Sequence, residues 1–202
     1  MTKIKLCGLT RACDIEYVNE LLPGYIGFVF AQKSRRYVTP QLAEDLRKRL
    51  DRRITPVGVF VDEEPEVIAE LLQRGIIEAV QLHGSEDEEY VKRLRELTDK
   101  KIIKAFRIRS REDIRAANAS TADCVLLDSG AGTGETFDWS LLNEINRPFF
   151  LAGGLDAGNV GQAIARFHPY GVDASSSLET DGYKDMEKLR AFVNAVRGME
   201  KG

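Results

Sequence analysis

Residues 149–177 read FFLAGGLDAGNVGQAIARFHPYGVDASSS, and this stretch contains a strand, a helix and a second strand, each strand followed by a turn of small residues. Phe149–Leu151 is a short apolar run ending in Ala152-Gly153-Gly154. Val160, Ile164 and Phe167 then recur at helical spacing, and Gly171–Ala174 forms the next strand before Ser175-Ser176-Ser177. A strand–helix–strand crossover of this length builds parallel sheet.

The same alternation extends outward to the rest of the chain. Further strands are predicted at Ile4–Cys7, Tyr25–Phe30, Pro56–Val61, Ala79–Leu82, Ile102–Phe106 and Cys124–Leu127. Between them lie helical patterns such as Leu42/Leu46/Leu50, Val67/Leu71/Leu72 and Val91/Leu94/Leu97, and Met186/Leu189/Val193/Val196 follows the last strand. Thr39-Pro40 marks one helix start, and Ser85 with Glu88 fits a capping box at another. The sixth unit offers only a short helix, Asp138–Ile145. Eight strand–helix units without a linker, repeat or low-complexity tract imply one domain over residues 1–202. The fold class is α/β, either a (β/α)8 TIM barrel with a parallel eight-stranded core or an open doubly wound sheet. The barrel is favoured because chemistry-bearing residues follow strands from the first to the last, and only closure brings those ends to one face.

Composition narrows the functional classes. The 202 residues are 43% hydrophobic and 30% charged with a net charge of −3, an ordinary globular balance with no basic surface for nucleic acid or acidic lipid. No apolar run approaches the roughly 20 residues that span a bilayer, so no membrane association is expected. The first residues read directly into a strand, without a signal-peptide pattern. Three cysteines without framework spacing suit a reducing, cytoplasmic setting. No metal is expected, because Cys7 and Cys13 form no CxxC pair and His83 and His168 stand far apart in sequence.

The turns after the seventh and eighth strands are rich in small residues, which let backbone N–H groups close on an anion. A helical turn after Ser175 would add its positive end. In such barrels these loops often hold phosphate, so Gly153, Gly154, Ser176 and Ser177 are candidates, with plain tight turns as the alternative. Cys7 ends the first strand before Gly8. A thiolate there could abstract a carbon-bound proton if positive charge lowers its pKa from about 8.5, or the side chain could be a small filler. Filler is the reading for Cys13 and Cys124. Asp128 ends the sixth strand, where a raised pKa would suit a proton donor and the alternative is a cap for the loop Ser129–Gly134. A guanidinium of Ser34-Arg35-Arg36 could clamp a carboxylate or simply be solvated. His83 follows Val80-Gln81-Leu82 and is either structural or a participant.

Eight motifs in register resemble the phosphoribosylanthranilate isomerase family, barrel enzymes of tryptophan biosynthesis. They are Lys5-Leu-Cys7-Gly8-Leu-Thr10, Gly27-Phe-Val-Phe30, Ser34-Arg-Arg36, Val57-Gly-Val-Phe-Val61, Val80-Gln-Leu-His83-Gly84, Gly132-Thr-Gly134 with Phe137-Asp-Trp139, Leu151-Ala-Gly-Gly-Leu155 and Val172-Asp-Ala-Ser-Ser176. The resemblance implies an Amadori rearrangement of N-(5-phosphoribosyl)anthranilate to an open-chain aminodeoxyribulose phosphate, without metal or organic cofactor. Asp128 would protonate the furanose ring oxygen and Cys7 would remove the C2′ proton. Arg36 would hold the anthranilate carboxylate, N–H groups around Gly153, Gly154, Ser176 and Ser177 the phosphate, and Asp173 and His83 would contact the substrate. The implied partner is a small phosphosugar–anthranilate, and the implied state a monomer or homodimer. Ser177 stands where the family usually has glycine. A position requiring positive φ would cost a serine about 1 kcal/mol, whereas its hydroxyl could instead bond the phosphate. The related histidine-pathway isomerase uses an aspartate where this chain has Cys7, an epimerase needs metal ligands, and a non-catalytic barrel would have lost Cys7 or Asp128.

Overall fold

The computed structural model describes residues 1–128 and 139–199. Eight parallel strands alternate with helices in chain order: β1 (Lys3–Cys7), α1 (Ala12–Leu21), β2 (Tyr25–Val29), α2 (Pro40–Arg49), β3 (Thr55–Phe60), α3 (Pro65–Gln73), β4 (Ala79–Leu82) and α4 (Glu88–Leu97). Then come β5 (Lys101–Arg107), α5 (Arg111–Ala119), β6 (Cys124–Asp128), a 3-10 turn Trp139–Glu144, β7 (Phe149–Ala152), α6 (Val160–Phe167) and β8 (Gly171–Ala174). A second 3-10 turn (Ser176–Leu178), a hairpin of β9 (Glu179–Thr180) with β10 (Tyr183–Lys184), and α7 (Met186–Gly198) complete the chain. Each strand pairs with the next, and β8 pairs with β1 to close the barrel.

The period-2 alternation of the strands creates two cores. Outward positions such as Leu6, Ile26, Phe28, Val80, Ile102 and Val125 pack under the helices. Inward positions Val57, Ala79, Ile103, Ala105, Cys124, Leu126, Phe150 and Ala152 fill the barrel. Strands covered on both faces read as continuous apolar runs, which is why the sequence signal was strong. Lys101 closes the lower end, its ammonium 5.0 Å from the Tyr170 ring centroid, while Tyr25 and Tyr170 each meet Phe150 edge-on.

The predicted strands are observed with ends shifted by a residue or so. At α2, the Thr39 hydroxyl accepts from the Leu42 N–H and Pro40 opens the helix, as expected. The Ser85/Glu88 capping box does not form. Asp87 caps α4 by accepting from the Tyr90 N–H, while the Ser85 hydroxyl donates to Asp62 and Glu88 accepts from Thr121. A carboxylate two residues nearer the helix outcompetes the serine for the free N–H groups. The sixth unit has the 3-10 turn Trp139–Glu144 in place of an α-helix. Residues 129–134, Gly132-Thr-Gly134 and Phe137 lie outside the described residues. Among the described residues no helix is long and apolar enough to cross a membrane.

Candidate active site

The carboxyl ends of the strands surround a cavity of about 670 Å³, within the range of small-molecule sites. Cys7, Arg36, His83, Asp128, Gly153, Gly154, Asp173, Ser176 and Ser177 all line it. Closure brings these residues together from β1, β2, β4, β6, β7 and β8 and the loops that follow them.

Alternation along β1 aims Lys5 and Cys7 at the barrel interior. Lys5 is fully buried, and its Nζ donates to Asp173 Oδ1 at 2.9 Å, the two residues being direct neighbours in the β1–β8 register. Gly27 on β2 leaves room for the thiol, since a Cβ there would lie 2.6 Å from Cys7 Sγ. Burial pushes the Cys7 thiol above its usual range, with Lys5 and Lys184 pulling it down and Asp173 adding to the rise. The positive surroundings anticipated from the sequence are therefore present, but burial outweighs them. Burial likewise raises the Asp173 carboxyl, and Lys5 opposes that rise. Burial disfavours the Lys5 ammonium, yet Asp173 and then Cys7 outweigh it and hold its pKa above the ordinary lysine value.

Arg36 reaches the mouth across Gly8, whose φ is +83° and whose Cβ would come within 2.3 Å of Arg36 Cδ. Only glycine suits such a backbone beneath such a side chain. One edge of the guanidinium is already engaged, with Nε and Nη2 donating to Glu179 at 2.5 and 2.9 Å. Lys184 Nζ also donates to Glu179, at 2.7 Å, and to the Ser175 carbonyl at 3.0 Å. Burial opposes charge on Glu179, but these donors outweigh it and hold its pKa below the ordinary value. Burial lowers Lys184 despite Glu179. The β9–β10 hairpin therefore orders an arginine that belongs to the loop after β2.

In the loop after β7, Gly153 and Gly154 have φ of +92° and +65°, a backbone that favours glycine. Ser176–Leu178 forms the expected short turn. Ser177 is not among the positive-φ residues, so serine meets no strain there. Its hydroxyl donates to the Leu155 carbonyl, joining the loop after β8 to the loop after β7. The hydroxyl's proton thus already has an acceptor. At β4, His83 Nδ1 lies 2.8 Å from Gln81 Nε2, and its Nε2 lies 3.7 Å from Asp128 Oδ2.

Sequence reasoning missed Lys5, Gln81, Arg107, Ser175, Glu179 and Lys184. Gln81, Arg107 and Ser175 line the cavity, and the other three hold residues that do. Lys5 was detectable, since a charge two residues before Cys7 must share its inward face and find a partner. Glu179 and Lys184 gave no signal, because two-residue strands carry no periodicity. Among the described residues no three His, Cys, Asp or Glu side chains are grouped to hold a metal ion.

A closed (β/α)8 barrel with a cavity built from its strand ends has the form of a barrel enzyme. The family model described as N-(5′-phosphoribosyl)anthranilate isomerase matches residues 4–195. The N-(5′-phosphoribosyl)anthranilate isomerase of Acetivibrio thermocellus is 44% identical, covering 100% of this chain and 99% of its own length. The crystal structure of the Thermotoga maritima phosphoribosyl anthranilate isomerase superposes with a TM-score of 0.88 at 36% identity, covering 98% of this chain and 100% of that one. A further solved isomerase, in complex with reduced 1-(o-carboxyphenylamino)-1-deoxyribulose 5-phosphate, gives a TM-score of 0.86 at 36% identity over 98% and 100% of the two chains. The chain belongs to the phosphoribosylanthranilate isomerase family, and its activity is that of an isomerase in tryptophan biosynthesis.

Proposed function

We propose that residues 1–202 act as one catalytic domain that converts N-(5-phosphoribosyl)anthranilate to 1-(2-carboxyphenylamino)-1-deoxyribulose 5-phosphate. The observation that carries this reading is the convergence of Cys7, Asp128 and the two anion loops on one cavity. The molecule bound to the solved relative carries a carboxyphenyl, a ribulose and a phosphate group. Those groups match the chemistry at Arg36, at Cys7 and Asp128, and at the N–H groups of Gly153, Gly154, Ser176 and Ser177.

Asp128 gives its proton to the furanose oxygen, the C1′–O bond breaks, and the anthranilate nitrogen lone pair forms a protonated Schiff base. Cys7 then removes the C2′ proton, and the resulting enolamine relaxes to the ketone. The order follows from the electrostatics of the site itself, where burial raises the thiol and favours its protonated form. An iminium cation beside the sulfur favours the thiolate and acidifies C2′, so ring opening prepares the base as well as the acid site. Arg36 uses its remaining donors for the anthranilate carboxylate, with Glu179 fixing the plane of the guanidinium. Asp173 and His83 contact the sugar.

Cys7→Ser and Asp128→Asn should each abolish turnover while the folded protein still binds the reduced product analogue. Full activity in either variant would remove that residue from the mechanism.

A further inference from the structure

Gln81 and His83 stand two positions apart at the end of β4, so both side chains face the barrel interior. Gln81 is only 1% exposed, and its amide nitrogen lies 2.8 Å from His83 Nδ1. An amide nitrogen only donates, so Nδ1 accepts and the neutral ring carries its proton on Nε2. Gln81 Oε1 is buried without a hydrogen-bond partner among the described residues. Such orphans are rare in native proteins and are expected where a side chain is held for another purpose. On the other side of the ring, Nε2 faces Asp128 Oδ2 at 3.7 Å.

We propose that Gln81 is a positioning residue that locks His83 as the Nε2–H tautomer, so that the ring donates to Asp128 as that carboxyl loses its proton. The second half rests on the reading of Asp128 as the general acid. At 3.7 Å the contact is longer than a hydrogen bond. Once the proton leaves, the new carboxylate draws the N–H closer. The interaction therefore strengthens along the reaction coordinate, which is what lowers a barrier. Asp173 from β8, Arg107 from β5 and Cys7 from β1 line the same cavity and contribute to the field at the ring. Gln81 is what engages Nδ1.

The chain has two histidines, so ¹⁵N-labelled full-length protein gives two ring systems, and a His168→Asn variant assigns them. Long-range ¹H–¹⁵N spectra at a pH where the ring is neutral should show His83 protonated at Nε2; an Nδ1–H ring overturns the proposal. Gln81→Leu should yield a mixture of tautomers and lower kcat about tenfold, the effect of one modest transition-state hydrogen bond, with KM nearly unchanged. Wild-type kcat in that variant also overturns it. Gln81→Glu presents an acceptor to Nδ1 and favours a cationic ring that keeps Asp128 ionised. The alkaline limb of kcat/KM should then move to lower pH by about one unit. An unmoved limb overturns the link to Asp128. Turnover by Asp128→Asn alongside an Nε2–H ring would overturn the acid reading and that link, while the Gln81–His83 lock would stand on the spectra alone.

Discussion

Replacing Lys5 by methionine keeps the length of the side chain, removes its charge and leaves Asp173 inside the barrel without its cation. The pair is 2.9 Å apart, with the lysine side chain fully buried and the aspartate nearly so. Deprived of Lys5, Asp173 escapes the cost of a lone buried charge by binding a proton, and that protonation sets the ceiling on the loss. Holding a carboxyl of unfolded pKa about 3.9 neutral at pH 7 spans about 3.1 pH units at 1.36 kcal/mol each, or about 4 kcal/mol. For a chain of this size the loss corresponds to a fall in Tm of roughly 8–16 °C. In the variant the folded-state pKa is raised, so the folded state holds a proton that the unfolded state releases, and stability falls as pH rises above about 4. The deficit against wild type should therefore shrink as pH falls, from at most about 4 kcal/mol at pH 7 to at most about 1.5 kcal/mol at pH 5. Denaturant unfolding followed by circular dichroism at pH 5, 6 and 7 measures it. The double variant Lys5→Met/Asp173→Leu should recover most of the loss, because an apolar pair replaces both ions. A deficit below about 1 kcal/mol at pH 7, or one independent of pH, would refute this account of the pair.

Other expectations concern the mouth. Alkylation of Cys7 by iodoacetamide in the free protein should accelerate with pH, with a midpoint above the ordinary thiol value of about 8.5, because burial raises the thiol; a midpoint below that value contradicts it. Glu179→Gln should raise KM about tenfold for the carboxylate-bearing substrate with little change in kcat, since it loosens the hold on Arg36; the opposite split would place Glu179 in the chemical step. Because the folded pKa of Glu179 is depressed, its stabilisation is present above the unfolded value and lost as pH falls through the folded one, and Glu179→Gln should flatten that acid limb in unfolding scans. Ser177→Ala should cost about 1 kcal/mol, or roughly 2–4 °C, by freeing the Leu155 carbonyl, and calorimetry showing an unchanged Tm would deny the tie.

The barrel was legible because strands such as Val57–Phe60 and Cys124–Leu127 are buried on both faces, and burial writes itself as an apolar run. The strand-end residues were legible for a related reason: Cys7, His83 and Asp128 interrupt or end such runs where packing alone would call for another apolar side chain. Pairings over long distances were not legible. Lys5 meets Asp173 across 168 positions and Arg36 meets Glu179 across 143, and nothing local specifies either partner. The misread at Ser85 arose from local competition, in which Asp87, two residues on, offered the stronger acceptor. Serine at 177 looked like a departure that needed tolerance, whereas its hydroxyl holds two loops together.

Closure between β1 and β8 also has a consequence for how the molecule is made. Lys5 leaves the ribosome well before Asp173, which follows it by 168 positions. Until then the inward face of the first strand carries an ammonium that stays in water, since no nascent stretch before residue 173 offers this aspartate. Partial barrels of six or seven units thus keep an open seam with a hydrated edge, and sealing the interior becomes a late, concerted event.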